Sequence, residues 1–146
     1  MKLSHNFHKI LTISILILIT AFISPLEART QSQSTPSSKT FKARITFYYP
    51  NEARSGFKSA KGDRLVPWKS AAVCFRTIPY GSKIQIPGIG TLIAQDTGSA
   101  VISRKAARQQ GQNVPVIDVC VKNRTDMMRM QHEFPMFIEV IVDRAT

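Results

Sequence analysis

Residues 41–49 read FKARITFYY, with apolar and polar positions in strict alternation. Phe41, Ala43, Ile45, Phe47 and Tyr49 fall on one face of an extended chain, and Lys42, Arg44 and Thr46 on the other, which predicts a half-buried strand. Short apolar segments follow at 71–74, 83–86, 91–95, 116–121 and 136–142, separated by turn signals such as Pro79-Tyr80-Gly81-Ser82 and Pro87-Gly88. Each is the length of a strand and too short for a buried helix. Residues 50–69 are polar and glycine-bearing and read as a long loop, a class that often carries function. Two stretches have helical character. Residues 103–110 (SRKAARQQ) start at a possible N-cap, Ser103, and stop at Gly111. Residues 125–133 (TDMMRMQHE) place Met127, Met130 and the following Phe134 along one side. Six short strands with one or two short helices predict a small, mainly β, barrel-like domain.

The chain ahead of this pattern is different. Lys2 and Lys9 precede an apolar run at 10–23, too short to cross a bilayer comfortably, and Leu26 and Ala28 fit a signal-peptidase site. Residues 1–28 read as a secretory signal peptide; an uncleaved membrane anchor is the other reading. Residues 29–40 are polar without apolar period and read as a disordered tether, so the folded domain is assigned to 41–146.

The formal charge is +11, and removing residues 1–28 takes away two lysines and one glutamate, lowering it by one. For an exported protein that balance favours an anionic wall polymer or membrane surface over nucleic acid. High solubility is the plainer explanation. Cys74 and Cys120 are the only cysteines. Export permits a disulfide between them, while two buried thiols account for them equally simply.

Asp96-Thr97-Gly98 has the form of an aspartic-protease loop. A protease dyad needs two such loops, and this chain has one, preceded by polar Gln95. The only histidine outside the leader is His132, so a nucleophilic triad lacks its base, and no ligand pair has zinc-site spacing. No metal or cofactor is expected. Carboxylate chemistry remains. Asp96 and Asp118 each follow apolar strand residues, where desolvation raises a carboxyl pKa and makes a proton donor. Asp96 has a structural alternative, accepting N–H bonds from its own turn. Asp118, inside VIDVCV, has less local reason to be there.

The segments Ala71-Ala72-Val73-Cys74, IPYGSKIQIPGIGTLIAQDTGSA and Ile117-Asp118-Val119 resemble the bacterial 3D (three-aspartate) domain. This is the double-psi β-barrel of membrane-bound lytic transglycosylase A and of stationary-phase muralytic proteins. The resemblance covers residues 45–142. It implies a secreted or periplasmic, monomeric protein that cleaves peptidoglycan glycan strands between muramic acid and glucosamine, without a cofactor. It makes Asp118 the catalytic acid and Asp96 its neighbour, with Tyr80, Thr97, Gly98 and Ser99 against the substrate. The family's first acid falls on Cys74 and its second loop glycine on Ser99, while 101–115 is longer than its counterpart. Those departures imply the alternative of a barrel that binds glycan, or plays a structural role, without cleaving. The resemblance also sets Cys74 near Asp118, which implies a Cys74–Cys120 disulfide at the site. Basic residues Arg54, Lys58, Lys61, Arg64, Arg104, Lys105 and Arg108 are expected to rim the groove.

Overall fold

The computed structural model describes residues 38–50 and 56–145. Six strands occur in the order β1 (Ser38–Tyr48), β2 (Ser70–Ala72), β3 (Lys83–Ile86), β4 (Gly90–Asp96), β5 (Val116–Cys120) and β6 (Phe137–Asp143). They close into a ring in the spatial order β1-β5-β2-β4-β3-β6. The β1–β5 and β2–β4 pairs are parallel and the other four antiparallel. Closure pairs both sides of every strand and leaves no open sheet edge. The fold is mainly β, with three short helices among the described residues.

Alternation decides what each strand buries. Ala43, Ile45 and Phe47 of β1 point into the ring, as do Ile84 and Ile86 of β3, Leu92 and Ala94 of β4, Ile117 and Val119 of β5, and Val140 and Val142 of β6. Each fully buried Val, Leu or Ile contributes about 1.5–3 kcal/mol over an exposed one, so this inner layer is the main support of the ring. The turn from β3 to β4 has Pro87 followed by Gly88 at φ +81, with Ile89 N–H donating to the Ile86 carbonyl at 3.0 Å. Proline presets the first turn position and glycine accepts the left-handed second one.

A second, smaller core lies outside the ring, where Ala72 and Val116 meet Val101 and Ala107. Val101 belongs to α1 (Ser99–Ile102) and Ala107 to α2 (Lys105–Arg108). One helix over 103–110 was expected. Instead Ser103 ends α1, and Arg104 breaks the chain at φ 55. A left-handed arginine costs roughly 1–2 kcal/mol, offset here by its guanidinium, which donates to the carbonyl and the side chain of Asn113, both at 3.0 Å. The kink lets Val101 and Ala107 reach the same apolar patch. The third helix, α3 (Arg124–Glu133), is capped by Asn123, whose side chain accepts from Asp126 N–H at 2.9 Å. Met127, Met130 and Phe134 pack on the main core as the sequence suggests.

The leader 1–28 and tether residues 29–37 lie outside the described residues. Residues 38–40, assigned to the tether, are strand: Ser38 pairs with Asp143 of β6, and its hydroxyl donates to the Asp143 carboxylate at 2.5 Å. Their polarity hid them, because pairing rather than burial holds them. Among the described residues no helix is long and apolar enough to cross a membrane.

Candidate functional site

Asp96 and Asp118 stand on either side of Ala72. In the ladder Ala72 is opposite Asp118 of β5 and opposite Asp96 of β4. Two strand spacings therefore separate the acids, about 9.5 Å between Cα atoms. A bulge produces this arrangement. Ala71 pairs with Ala94 but Ala72 pairs with Asp96, so Gln95 is the extra residue. Leu92 and Ala94 point inward, and simple alternation would send Asp96 the same way. The bulge turns it to the outer face, a common use of that irregularity. Gln95 accepts a hydrogen bond from the fully buried Ser70 hydroxyl at 2.7 Å, which fixes the extra residue in place.

The two carboxylates have different surroundings. Asp96 is nearly buried. Its Oδ1 accepts from Ala60 N–H at 2.8 Å and Thr97 N–H at 2.9 Å, and its Oδ2 accepts from the Tyr48 hydroxyl at 2.9 Å. Three donors occupy most of its acceptor capacity. The Thr97 bond is the local turn arrangement open in the sequence; the other two come from distant segments. Asp118 is half-buried, and its Oδ1 accepts from the Thr46 hydroxyl at 2.8 Å, directly across the β1–β5 pair. Burial, then the charge of Asp96, pushes the Tyr48 hydroxyl far above its ordinary value, so it remains a donor. Burial is also the chief reason the Cys120 thiol is pushed up to about 11. Arg44 is lowered by burial, against the pull of Asp118.

Space is arranged around Asp118. A cavity of about 190 Å³ is lined by Asp96, Thr97, Gly98, Ala72 and Asp118. A second compartment of about 370 Å³ is lined by Thr46, Lys105, Gln109, Met127 and again Asp118. Tyr48, Ala100, Val101 and Asp118 line both. Asp118 is therefore at the junction of two adjoining hollows, with α1 along both. A larger hollow of about 440 Å³ near the β3–β4 turn carries no titratable side chain and is distant in the ring from Asp118.

The long loop expected over 50–69 contains a small hairpin at 57–65, closed by a Lys58–Arg64 bridge and a Leu65 N–H bond to the Phe57 carbonyl at 2.9 Å. Its tip supplies the Ala60 N–H that Asp96 accepts. Asp63 ties the hairpin to the ring through the Tyr80 hydroxyl at 2.8 Å, and Lys61 lies 4.1 Å from the centroid of the Tyr80 ring. Tyr80 was expected against the substrate. It lines neither hollow at Asp118 and instead holds the hairpin; the bond to Asp63 raises its own pKa.

Thr97 and Gly98 do line the first cavity, whereas Ser99 begins α1, exposed, and lines neither hollow. Cys74 and Cys120 are free thiols, half-buried and buried. They are not bonded to each other in this structure. With Ala72 opposite Asp118 in an antiparallel pair, Cys74 and Cys120 lie two residues away in opposite directions. β2 ends at Ala72, so Cys74 lies in the turn beyond it, while Cys120 closes β5. Of the expected basic rim, Lys105 lines the second compartment, Arg104 is committed to Asn113, Lys61 to the Tyr80 ring, and Arg54 lies outside the described residues. His132 is exposed on α3. Among the described residues no three His, Cys, Asp or Glu side chains are grouped as metal ligands.

Sequence reasoning missed Tyr48, Thr46 and Ala72 as parts of the site. The available signal was an aromatic hydroxyl on the polar face of the first strand. The chain matches no protein-family model and no curated protein.

Proposed function

We propose that this chain is a double-psi β-barrel of the three-aspartate type that cleaves peptidoglycan glycan strands by lytic transglycosylation, with Asp118 as the single acid and base. One observation carries the reading: Asp118 lies where two hollows meet, while the other carboxylate nearby, Asp96, lines only the first and holds three donors. A hydrolase of the ordinary kind needs two working carboxylates. A transglycosylase needs one, because the substrate brings its own nucleophile. Asp118 gives its proton to the glycosidic oxygen as the bond to the muramoyl anomeric carbon breaks, which releases the glucosamine hydroxyl. The muramoyl 6-hydroxyl then bonds to that carbon, and Asp118 takes the proton it loses. The acid is regenerated, and the product is an internal 1,6-anhydro ring. Thr46 orients the carboxyl, and Asp96 with Tyr48 braces the wall of the first cavity. The work is done in the cell envelope, after export directed by the leader.

A second reading is a barrel that binds glycan without cutting it, favoured by Cys74 at the position of the family's first acid. Digestion of purified sacculi separates the two. Anhydro-muropeptides from the wild type, falling by about 10²-fold or more in Asp118→Asn, support the enzyme. Sedimentation with sacculi without products indicates the binder, and an equally active, folded Asp118→Asn overturns the assignment of the acid.

A further inference from the structure

The second compartment differs from the first. Its wall is apolar where Ala106, Val116 and Met127 meet, and Lys105 and Gln109 stand at its rim on successive turns of one face. Among the described residues Lys105 makes no ion pair. At about 370 Å³ the compartment falls in the size range of small-ligand pockets, roughly 300–1,000 Å³. A sugar ring itself has no charge for Lys105 and little apolar surface for Met127, and the lactyl group of muramic acid stripped of its peptide adds one carboxylate but no amides. A short peptide has all of these, with small apolar side chains, amides for Gln109 and a carboxylate for the ammonium group.

Building on the glycan-cleaving reading, we propose that this compartment takes the peptide arm carried by muramic acid, with Lys105 binding a carboxylate of that arm. With the scissile bond at Asp118, the sugar chain enters the hollow lined by Thr97 and Gly98, and the peptide lies under α1 toward α3. The substrate is then peptide-substituted glycan, in preference to glycan stripped of its peptides. The recognition is made by Lys105 and Gln109 with the wall of Ala106, Val116 and Met127. Lys105 is a specificity residue and takes no part in the proton transfers.

The test uses the full chain with two soluble probes titrated by calorimetry, the glucosamine–muramic acid disaccharide bearing a tetrapeptide and the bare disaccharide with its lactyl carboxyl capped as the methylamide. The wild type is expected to bind the peptide-bearing probe about tenfold or more tightly than the bare one. Lys105→Gln should reduce that ratio to about twofold or less without weakening the bare disaccharide, and Lys105→Arg should keep it. Lys105 is exposed, so neither change threatens folding. Equal binding of the two probes by the wild type, or a ratio unchanged in Lys105→Gln, overturns the peptide pocket while leaving the glycan reading in place. Failure of the wild type to bind either probe, with no cleavage of sacculi, overturns both.

Discussion

Tyr48, near the end of β1, donates its hydroxyl hydrogen to Asp96 at the end of β4 at 2.9 Å, although β5 and β2 lie between those strands in the ring. The bond crosses the outer face at the level of Ala72, whose single methyl leaves room for it. It links four strands into one wall of the first cavity. Tyr48→Phe keeps the ring and removes the donor. A hydrogen bond to a charged group contributes about 1.5–3 kcal/mol, so the variant should lose stability in that range on urea denaturation, with an unchanged m-value.

Asp96 and Asp118 should respond oppositely to the same substitution. Asn at 96 keeps an oxygen for the Ala60 and Thr97 N–H groups but meets the Tyr48 hydroxyl with an NH2, so that hydroxyl must turn from donor to acceptor and all three bonds lose their charge. Asp96→Asn should therefore be destabilised by about 2 kcal/mol or more. Asp118→Asn should unfold near the wild-type midpoint while losing cleavage. Denaturation curves and sacculus digestion of both variants check the pair; a strongly unstable Asp118→Asn would make that acid structural.

Tyr80→Phe tests the hairpin as a positioning device. Without the bond to Asp63 the 57–65 hairpin is held less firmly, and the Ala60 amide that reaches Asp96 should exchange with solvent at least several-fold faster. Amide exchange by NMR reads this at Ala60 directly. If Tyr80 touches substrate instead, exchange stays as it was and only ligand binding weakens.

The Cys120 thiol offers a pH test. Its folded pKa of about 11 lies above the ordinary 9.0, chiefly through burial. The folded state thus favours the protonated thiol. Its contribution is complete below the ordinary value and is lost as pH rises through about 11. Stability should decline over that window in the wild type and decline less steeply in Cys120→Ala. In the native protein at neutral pH Cys120 should resist alkylation. After denaturation without reductant both thiols should label, as mass spectrometry would show.

The strands were legible because alternation is a local property. β3 matches its expected residues, and five others shift by one to three residues at their ends, where pairing rather than burial sets the boundary. The broken helix over 99–108 was not legible, since SRKAARQQ has ordinary helical composition and only the fit of Val101 and Ala107 onto Ala72 and Val116 requires a left-handed Arg104. The two acids could be singled out from their apolar neighbours. Their difference could not: it depends on a bulge at Gln95 and on donors 36 and 48 residues away. The placement of the two cysteines was not legible for a related reason, because it depends on the direction of β2 against β5, which composition does not carry.

The ring order has a consequence for how the protein comes into being. Residues 48, 72, 96 and 118 arrive at the site from four separate strands, none of them joined to the next by a hairpin. Chains dominated by such distant pairings must close large loops before any contact rewards them, and they fold slowly. No single strand of this ring carries the whole site. The site and the native topology are therefore acquired together, and a chain cut before β5 has neither.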